Sequence, residues 1–217
     1  MNKLDIGKYI ERFVDWLSDT AAPLFRQITI MIDNSVDVLQ ELLGYVPFYM
    51  IIAIVALIAF IIKKKSLGNH KYWQNNIATL IGFPLFCVLG LLLIYWMGFW
   101  EQTMDTFILV LVATLIVLMI GIPLGIWCAY NKKAYAIIRP LLDFMQTMPA
   151  FVYLIPAILF FSVGNVPGVL ATVIFSLPPA VRMTALGIKS VPKEVVEASV
   201  AFGCTRRQTL FKVQMPL

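Results

Sequence analysis

The apolar runs of this chain hold one carboxylate, Asp143, and no histidine; the single histidine, His70, lies in a polar stretch with Lys63, Lys64, Lys65 and Lys71. Acid–base or metal chemistry needs several titratable or ligating groups converging on one point. Paired intramembrane carboxylates, a His-Glu-x-x-His helix and Ser/His pairs across facing runs are all missing, so this chain is expected to be neither an enzyme nor a metal protein. His70 reads as a solvated or headgroup-facing residue. Cys87, Cys128 and Cys204 are far apart and two of them lie in apolar runs, which favours inert thiols over a disulfide or a zinc site. A Gly-x-x-x-x-Gly-Lys-Ser/Thr loop is also missing. Any ATP hydrolysis therefore has to come from a partner, and no cofactor is expected on this chain itself.

What remains is a small set of polar side chains within apolar runs. Asp143 lies four residues past Arg139, and Arg182 lies seven before Lys189. Isolated charges at such places are expensive in a membrane, and pairing or snorkelling lowers the cost. Two arrangements stand: an ion pair between Asp143 and Arg182 joining their two runs, or Arg182 snorkelling to headgroups while Asp143 pairs with Arg139. Gln146, Thr147 and Tyr153 border Pro149. Side chains of this kind face the interior of a helix bundle, either lining a path for a polar solute or holding helices together.

The elements that must position these residues follow from composition and periodicity. The 217 residues are 60% hydrophobic and 13% charged, far from the balance of soluble domains, so the chain reads as an integral membrane protein. Its net charge of +5 does not point to nucleic acid, because the cations fall between apolar runs as topology signals. The bilayer is the expected partner. Residues 1–44 show helical spacing in Ile6, Ile10, Phe13, Val14 and Leu17, then in Leu24, Ile28, Met31, Ile32, Val36 and Leu39. Two amphipathic helices are expected, separated near Ala21-Ala22-Pro23 with Pro23 opening the second. They either lie extracytoplasmically along the interface, pack on the bundle or form a small soluble cap. No cleavable signal peptide is apparent.

Residues 45–217 form the membrane domain. Five spans are expected over about 46–62, 77–99, 107–130, 141–161 and 169–188, of which the third contains Pro123, the fourth Pro149 and Pro156, and the fifth Pro178-Pro179. The first and third connections carry Lys63, Lys64, Lys65, Lys71, Lys132, Lys133 and Arg139, whereas the second and fourth carry no Lys or Arg. The positive-inside rule then makes the first and third cytoplasmic and the amino terminus external.

After the fifth span comes a water-facing stretch, Pro192–Pro216. Pro192 suits the start of a helix, with Glu194 and Glu197 favourably placed near its positive end. Gly203 ends that helix, and Thr205 followed by Gln208 has the spacing of a capping box for a second one. Glu197-Ala198-Ser199, three residues, Gly203, nine residues, Val213, one residue and Met215-Pro216 resemble the Glu-Ala-Ala, Gly, Ile, Leu-Pro pattern of the membrane subunits of ATP-binding cassette (ABC) importers. Ser199, Val213 and Met215 depart from it mildly. The resemblance implies a coupling helix at about 191–204. There Glu197, Ala198, Ser199 and Gly203 contact a cytoplasmic ATPase subunit, and Arg206 and Arg207 support them. The lysine-based topology independently places this loop inside.

A second resemblance covers about Thr106 to Leu217. Arg139–Pro156, Gly164-Asn-Val-Pro-Gly168 and Phe175-Ser-Leu-Pro-Pro-Ala-Val-Arg182 are similar to the glycine betaine/proline betaine permeases of bacterial osmoprotection systems. The family implies an all-α polytopic helix bundle, the type I ABC importer transmembrane domain, in the bacterial cell membrane. It implies uptake of quaternary ammonium solutes, ATP and Mg bound on ATPase subunits, a second permease subunit in a homodimer, and an extracytoplasmic binding protein or fused domain. The family continues past the coupling motif into further spanning helices, so a fragment is expected here. Another ABC importer specificity, such as an amino acid, is the nearest alternative. A secondary transporter would not need a glycine-broken cytoplasmic helix pair.

Overall fold

The computed structural model describes residues 6–66 and 77–215; His70, Lys71 and Pro216 lie outside them. The elements are α1 (Ile6–Gly44), α2 (Phe48–Ser66), α3 (Ile77–Trp96), α4 (Trp100–Tyr130), α5 (Lys132–Thr147), α6 (Ala150–Phe161), α7 (Asn165–Ser190), α8 (Lys193–Ala201) and α9 (Arg206–Thr209), followed by a π-helical turn, Leu210–Gln214. Every regular element among the described residues is helical, as the apolar runs require. Contacts divide the chain into a unit of residues 34–108 and a unit of residues 1–33 with 109–217. These divisions fall within α1 and α4.

Three expectations are corrected. The two amino-terminal helices are one, α1, with Pro23 inside it. Proline removes one backbone bond, but the carbonyl it orphans belongs to Asp19, which is exposed to solvent, and the adjacent Ala21 and Ala22 favour the helix. The connection expected over 131–140 shrinks to Asn131. Its Oδ1 accepts from the amides of Lys133 and Ala134 at 3.0 and 3.1 Å, and this cap starts α5 at Lys132. The fourth span is broken: α5 and α6 meet at 95°. Pro149 causes this, because the residue before a proline is driven out of the α region, and Met148 sits at φ −89°, ψ 140°.

By length and composition α4 and α7 each suffice to cross a membrane; the α1–α2 and α5–α6 pairs qualify only if each bent pair is taken as one span, and α3 is a shorter apolar helix. Among the described residues, two of the five expected spans are thus unbroken helices long enough to cross by themselves. The 31 residues of α4 reach about 46 Å, past the roughly 30 Å of hydrocarbon.

In the unit of residues 34–108, α2 and α3 pack together. Phe48 stacks on Tyr95 at 4.0 Å, with Trp100 edge-on to both at 6.2 Å. The start of α2 thus meets the end of α3, which makes the pair antiparallel. Gln40 Nε2 donates to Asp105 Oδ1 at 3.1 Å, tying the end of α1 to the start of α4.

In the other unit α7 is the central helix, burying Val169, Val173, Val181, Ala185 and Ile188 at spacings that keep them along one face. Cys128 of α4, Leu142 of α5, and Val181 and Ala185 of α7 form its core. Helices α4 and α7 cross closely: a Cβ at Gly125 would lie 2.5 Å from Thr184 Cβ and 2.9 Å from the Val181 carbonyl oxygen. Only glycine allows this approach. Phe25 of α1 packs on Phe160 and Phe161 of α6, with ring centres 5.0 and 5.1 Å apart.

Candidate functional site

The stretch after α7 folds as helix, glycine break, helix. Pro192 caps α8 from an extended conformation. The helix ends at Phe202, after which Gly203 takes φ +80° and its amide bonds the Val200 carbonyl at 2.9 Å. That left-handed turn costs other residues about 1–2 kcal/mol. Thr205 then opens α9 with the complete capping box: its side chain accepts from the Gln208 amide, and the Gln208 side chain accepts from the Thr205 amide at 2.8 Å. The elbow is closed from inside. Ser199 and Thr209 are the buried polar residues among those described, at 9% and 5% exposure, and their hydroxyls lie 3.2 Å apart. Ser199 donates to the Val196 carbonyl at 2.7 Å, so Thr209 donates to Ser199.

Among the sequence-derived site residues Glu197, Ala198, Gly203, Arg206 and Arg207 are exposed, whereas Ser199 is buried against Thr209. The exposed side of the elbow is also more apolar than the charged motif suggests: Phe202 is 90% and Val200 60% exposed.

Behind the elbow lies a cleft of ≈ 250 Å³ bordered by Tyr130, Lys189, Lys193, Glu197 and Gln214. The Tyr130 hydroxyl donates to Gln214 Oε1, and Lys189 Nζ sits 4.5 Å above the Tyr135 ring. The end of α4, the start of α5, the end of α7 and the elbow therefore gather at one end of the unit. Lys132, Lys133 and Lys189 lie there too.

The second polar group lies further along α5 and α7. Arg182 Nη2 donates to Asp143 Oδ1, and Nη1 donates to Gln146 Oε1 at 2.6 Å. Arg139 Nε also approaches Asp143, at 3.8 Å. Both candidate partners of Asp143 thus reach it, with Arg182 the closer. Sequence reasoning missed Gln146 as the second acceptor, although its i+3 spacing from Asp143 puts both on one helical face. Thr147 and Tyr153 have other partners. Thr147 Oγ1 donates to the Phe144 carbonyl at 2.9 Å, and the Tyr153 hydroxyl donates to the Met145 carbonyl at 3.0 Å. These are among the carbonyls left orphaned by the end of α5, so both side chains stabilise the bend. Thr209 and Gln214 were also missed, since each meets a residue remote in sequence and no periodicity signals it. Among the described residues no group of three His, Cys, Asp or Glu is placed to hold a metal ion.

Apolar helices, two of them long enough to cross a membrane, thus lead into a glycine-broken elbow. Residues 121–217 match the family model of the binding-protein-dependent transport system inner membrane component. The chain is 41% identical to the glycine betaine transport system permease protein OpuAB of Bacillus subtilis, over 99% of this chain and 71% of that one. It is 44% identical to the glycine betaine/carnitine transport permease protein GbuB of Listeria monocytogenes, over 99% and 71%. With the glycine betaine/proline betaine permease ProW of Escherichia coli identity is 42%, over 99% and 56%.

The chain belongs to the glycine betaine/proline betaine family of ABC importer permeases. It is a multi-pass inner-membrane transport subunit and not an enzyme, and a permease of this class works with an ATPase subunit and a substrate-binding protein. Both resemblances read from the sequence hold at the level of the family.

Proposed function

We propose that this chain forms the translocation path for glycine betaine or a closely related quaternary ammonium osmoprotectant. In the working assembly it pairs with a second copy of itself, and an extracytoplasmic binding protein or domain delivers the solute. ATP and Mg bind on the ATPase subunits and not on this chain. The amino terminus faces outward and the elbow inward, in line with Lys63, Lys64, Lys65, Lys132, Lys133 and Arg139 on the inner connections. Glu197, Ala198 and Gly203 meet the ATPase, Arg206 and Arg207 flank them, and Ser199 keeps the elbow rigid. Gln146 faces the path beside the Asp143–Arg182 ion pair, and Thr147 and Tyr153 shape the path by fixing the bend. The names of the relatives that align over almost the whole chain support the solute class.

The observation that carries the coupling role is the exposed apolar tip, Val200 and Phe202, held by a positive-φ glycine and a capping box directly after α7. An apolar tip of this kind, on a segment that faces water in this reading, fits a docking contact. The test is Gly203→Val in the reconstituted importer. Straining this turn by about 1–2 kcal/mol should reduce solute-stimulated ATP hydrolysis by roughly five- to thirtyfold, with membrane insertion unchanged. Wild-type stimulation in that variant would remove the assignment.

A further inference from the structure

The elbow, taken with the π-helical turn that follows it, has two attachments to the unbroken apolar helices, and they differ in kind. The first is covalent: α7 passes into α8 through Val191 and Pro192 alone, both extended, at φ −64°, ψ 128° and φ −54°, ψ 137°. Proline fixes its own φ, but the two dihedrals of Val191 and the ψ of Pro192 are soft, so this stalk sets the distance of the elbow from α7 and not its orientation. The second is a side-chain hydrogen bond. The hydroxyl of Tyr130, the last residue of α4, donates to Oε1 of Gln214, the last residue of the π-helical turn. Among the described residues the elbow's other side-chain hydrogen bonds, from Ser199 to Val196 and Thr209 and between Thr205 and Gln208, stay inside it.

The turn that Gln214 closes is itself unusual. The Met215 amide bonds the Leu210 carbonyl at 2.9 Å, five residues back. The extra residue swings the end of the turn by up to about 100° from where a continuing α-helix would take it, and single turns of this kind are rare and recur at functional sites. Its start is sunk in the unit, with Thr209 5% and Leu210 8% exposed. Its end borders the cleft together with Tyr130. Gln214 stands between Val213 and Met215, at a position that the importer pattern leaves unspecified, so its contact with α4 is a property of this fold and not of the motif.

We propose that Tyr130 is a positioning residue for coupling: through Gln214 it ties the far end of the elbow to α4 and so sets the angle at which the apolar tip is presented to the ATPase subunit. This role rests on the reading that the tip docks there. Helices α4 and α7 approach each other closely at Gly125 and Thr184, so an elbow fastened to both completes a closed frame of three members and loses its freedom to swivel on the stalk. A neutral hydrogen bond that is open to water shifts an equilibrium between orientations by roughly two- to tenfold. That is too little to decide folding and enough to decide how often the tip is correctly aimed.

The test uses the complete importer, with its ATPase and binding protein, in liposomes, and reads ATP hydrolysis stimulated by binding protein loaded with glycine betaine. Tyr130→Phe keeps the ring and removes the donor; Gln214→Met keeps the length and removes the acceptor. Each should lower stimulated hydrolysis by roughly two- to tenfold, with assembly and melting temperature as in wild type. The double variant should be no worse than either single one, because both remove the same bond. Gln214→Glu, which keeps an acceptor oxygen at the same reach, should stay within about twofold of wild type. A merely structural role would lower the melting temperature and would not be rescued by glutamate. Wild-type hydrolysis in both single variants overturns the proposal, as do multiplied losses in the double variant or a glutamate variant as poor as the methionine one. Should one single variant fail to assemble, the other, set against Gln214→Glu, decides by the same criteria. The docking reading fails separately: it falls if Gly203→Val keeps wild-type stimulation, whereas the tie to α4 alone falls if Gly203→Val loses stimulation and Tyr130→Phe does not.

Discussion

Two polar links tie helices of the same unit together, and they are built in opposite ways. Ser199 and Thr209 join α8 to the end of α9 through neutral hydroxyls that are almost fully buried. Arg182, Asp143 and Gln146 join α7 to α5 through charges that remain partly open to the surroundings. A buried neutral pair has every group satisfied internally and no competitor within reach, so it is a fastener. An exposed charged fork stays exchangeable, since water, salt or another ion can take either partner. The difference separates a fixed joint from an exchangeable one: Ser199 and Thr209 fasten the elbow internally, whereas the α5–α7 link is open to competing partners.

The strongest way to break the comparison is to disturb the packing on which one link stands. Gly125→Leu should force α4 away from α7, because even a Cβ would meet Thr184 Cβ at 2.5 Å. A loss of about 2–3 kcal/mol or more is expected, read as a lowered melting temperature in detergent. Gly164→Ala, with nothing within 4 Å of the added carbon, should shift stability by less than about 0.5 kcal/mol. Next, Asp143→Ala leaves Arg182 with Gln146 alone and should cost about 1–2 kcal/mol, a figure reduced from buried pairs by the exposure of both groups. The Asp143–Arg182 coupling, measured by a double-mutant cycle in detergent, should shrink between about 0.1 and 1 M salt as screening strengthens.

Smaller effects sharpen the other side. A cycle over Ser199→Ala and Thr209→Val should give a coupling of about 0.5–1.5 kcal/mol that salt leaves unchanged. A salt-sensitive value there would erase the contrast. Thr205→Ala should cost about 0.5–1 kcal/mol through the lost cap, seen as faster amide exchange at Gln208 with α8 unaffected.

Much of this was legible in the sequence where local chemistry decides. The glycine break at 203 and the Thr205–Gln208 box are local signals, and both form. The unbroken spans α4 and α7 follow from long apolar runs. Local rules also misled. Pro23 reads as a helix opener, but an exposed carbonyl at Asp19 tolerates the lost bond, and the helix runs through. Pro149 reads as lying inside one span, whereas the backbone of Met148 makes the chain turn there by 95°. Ser199 matched a contact motif by position, but its burial depends on Thr209, which folds back from ten residues downstream. Tertiary partners of this kind leave no periodic trace.

Asn131 is the lone residue between α4 and α5, and its side chain is fastened to the first turn of the second helix. A joint so short permits pivoting but no sliding. Any tilt imposed on α5 must therefore appear as an arc traced by its far end, where Asp143 and the Pro149 corner sit, so that a small angular displacement at Asn131 becomes its largest excursion there.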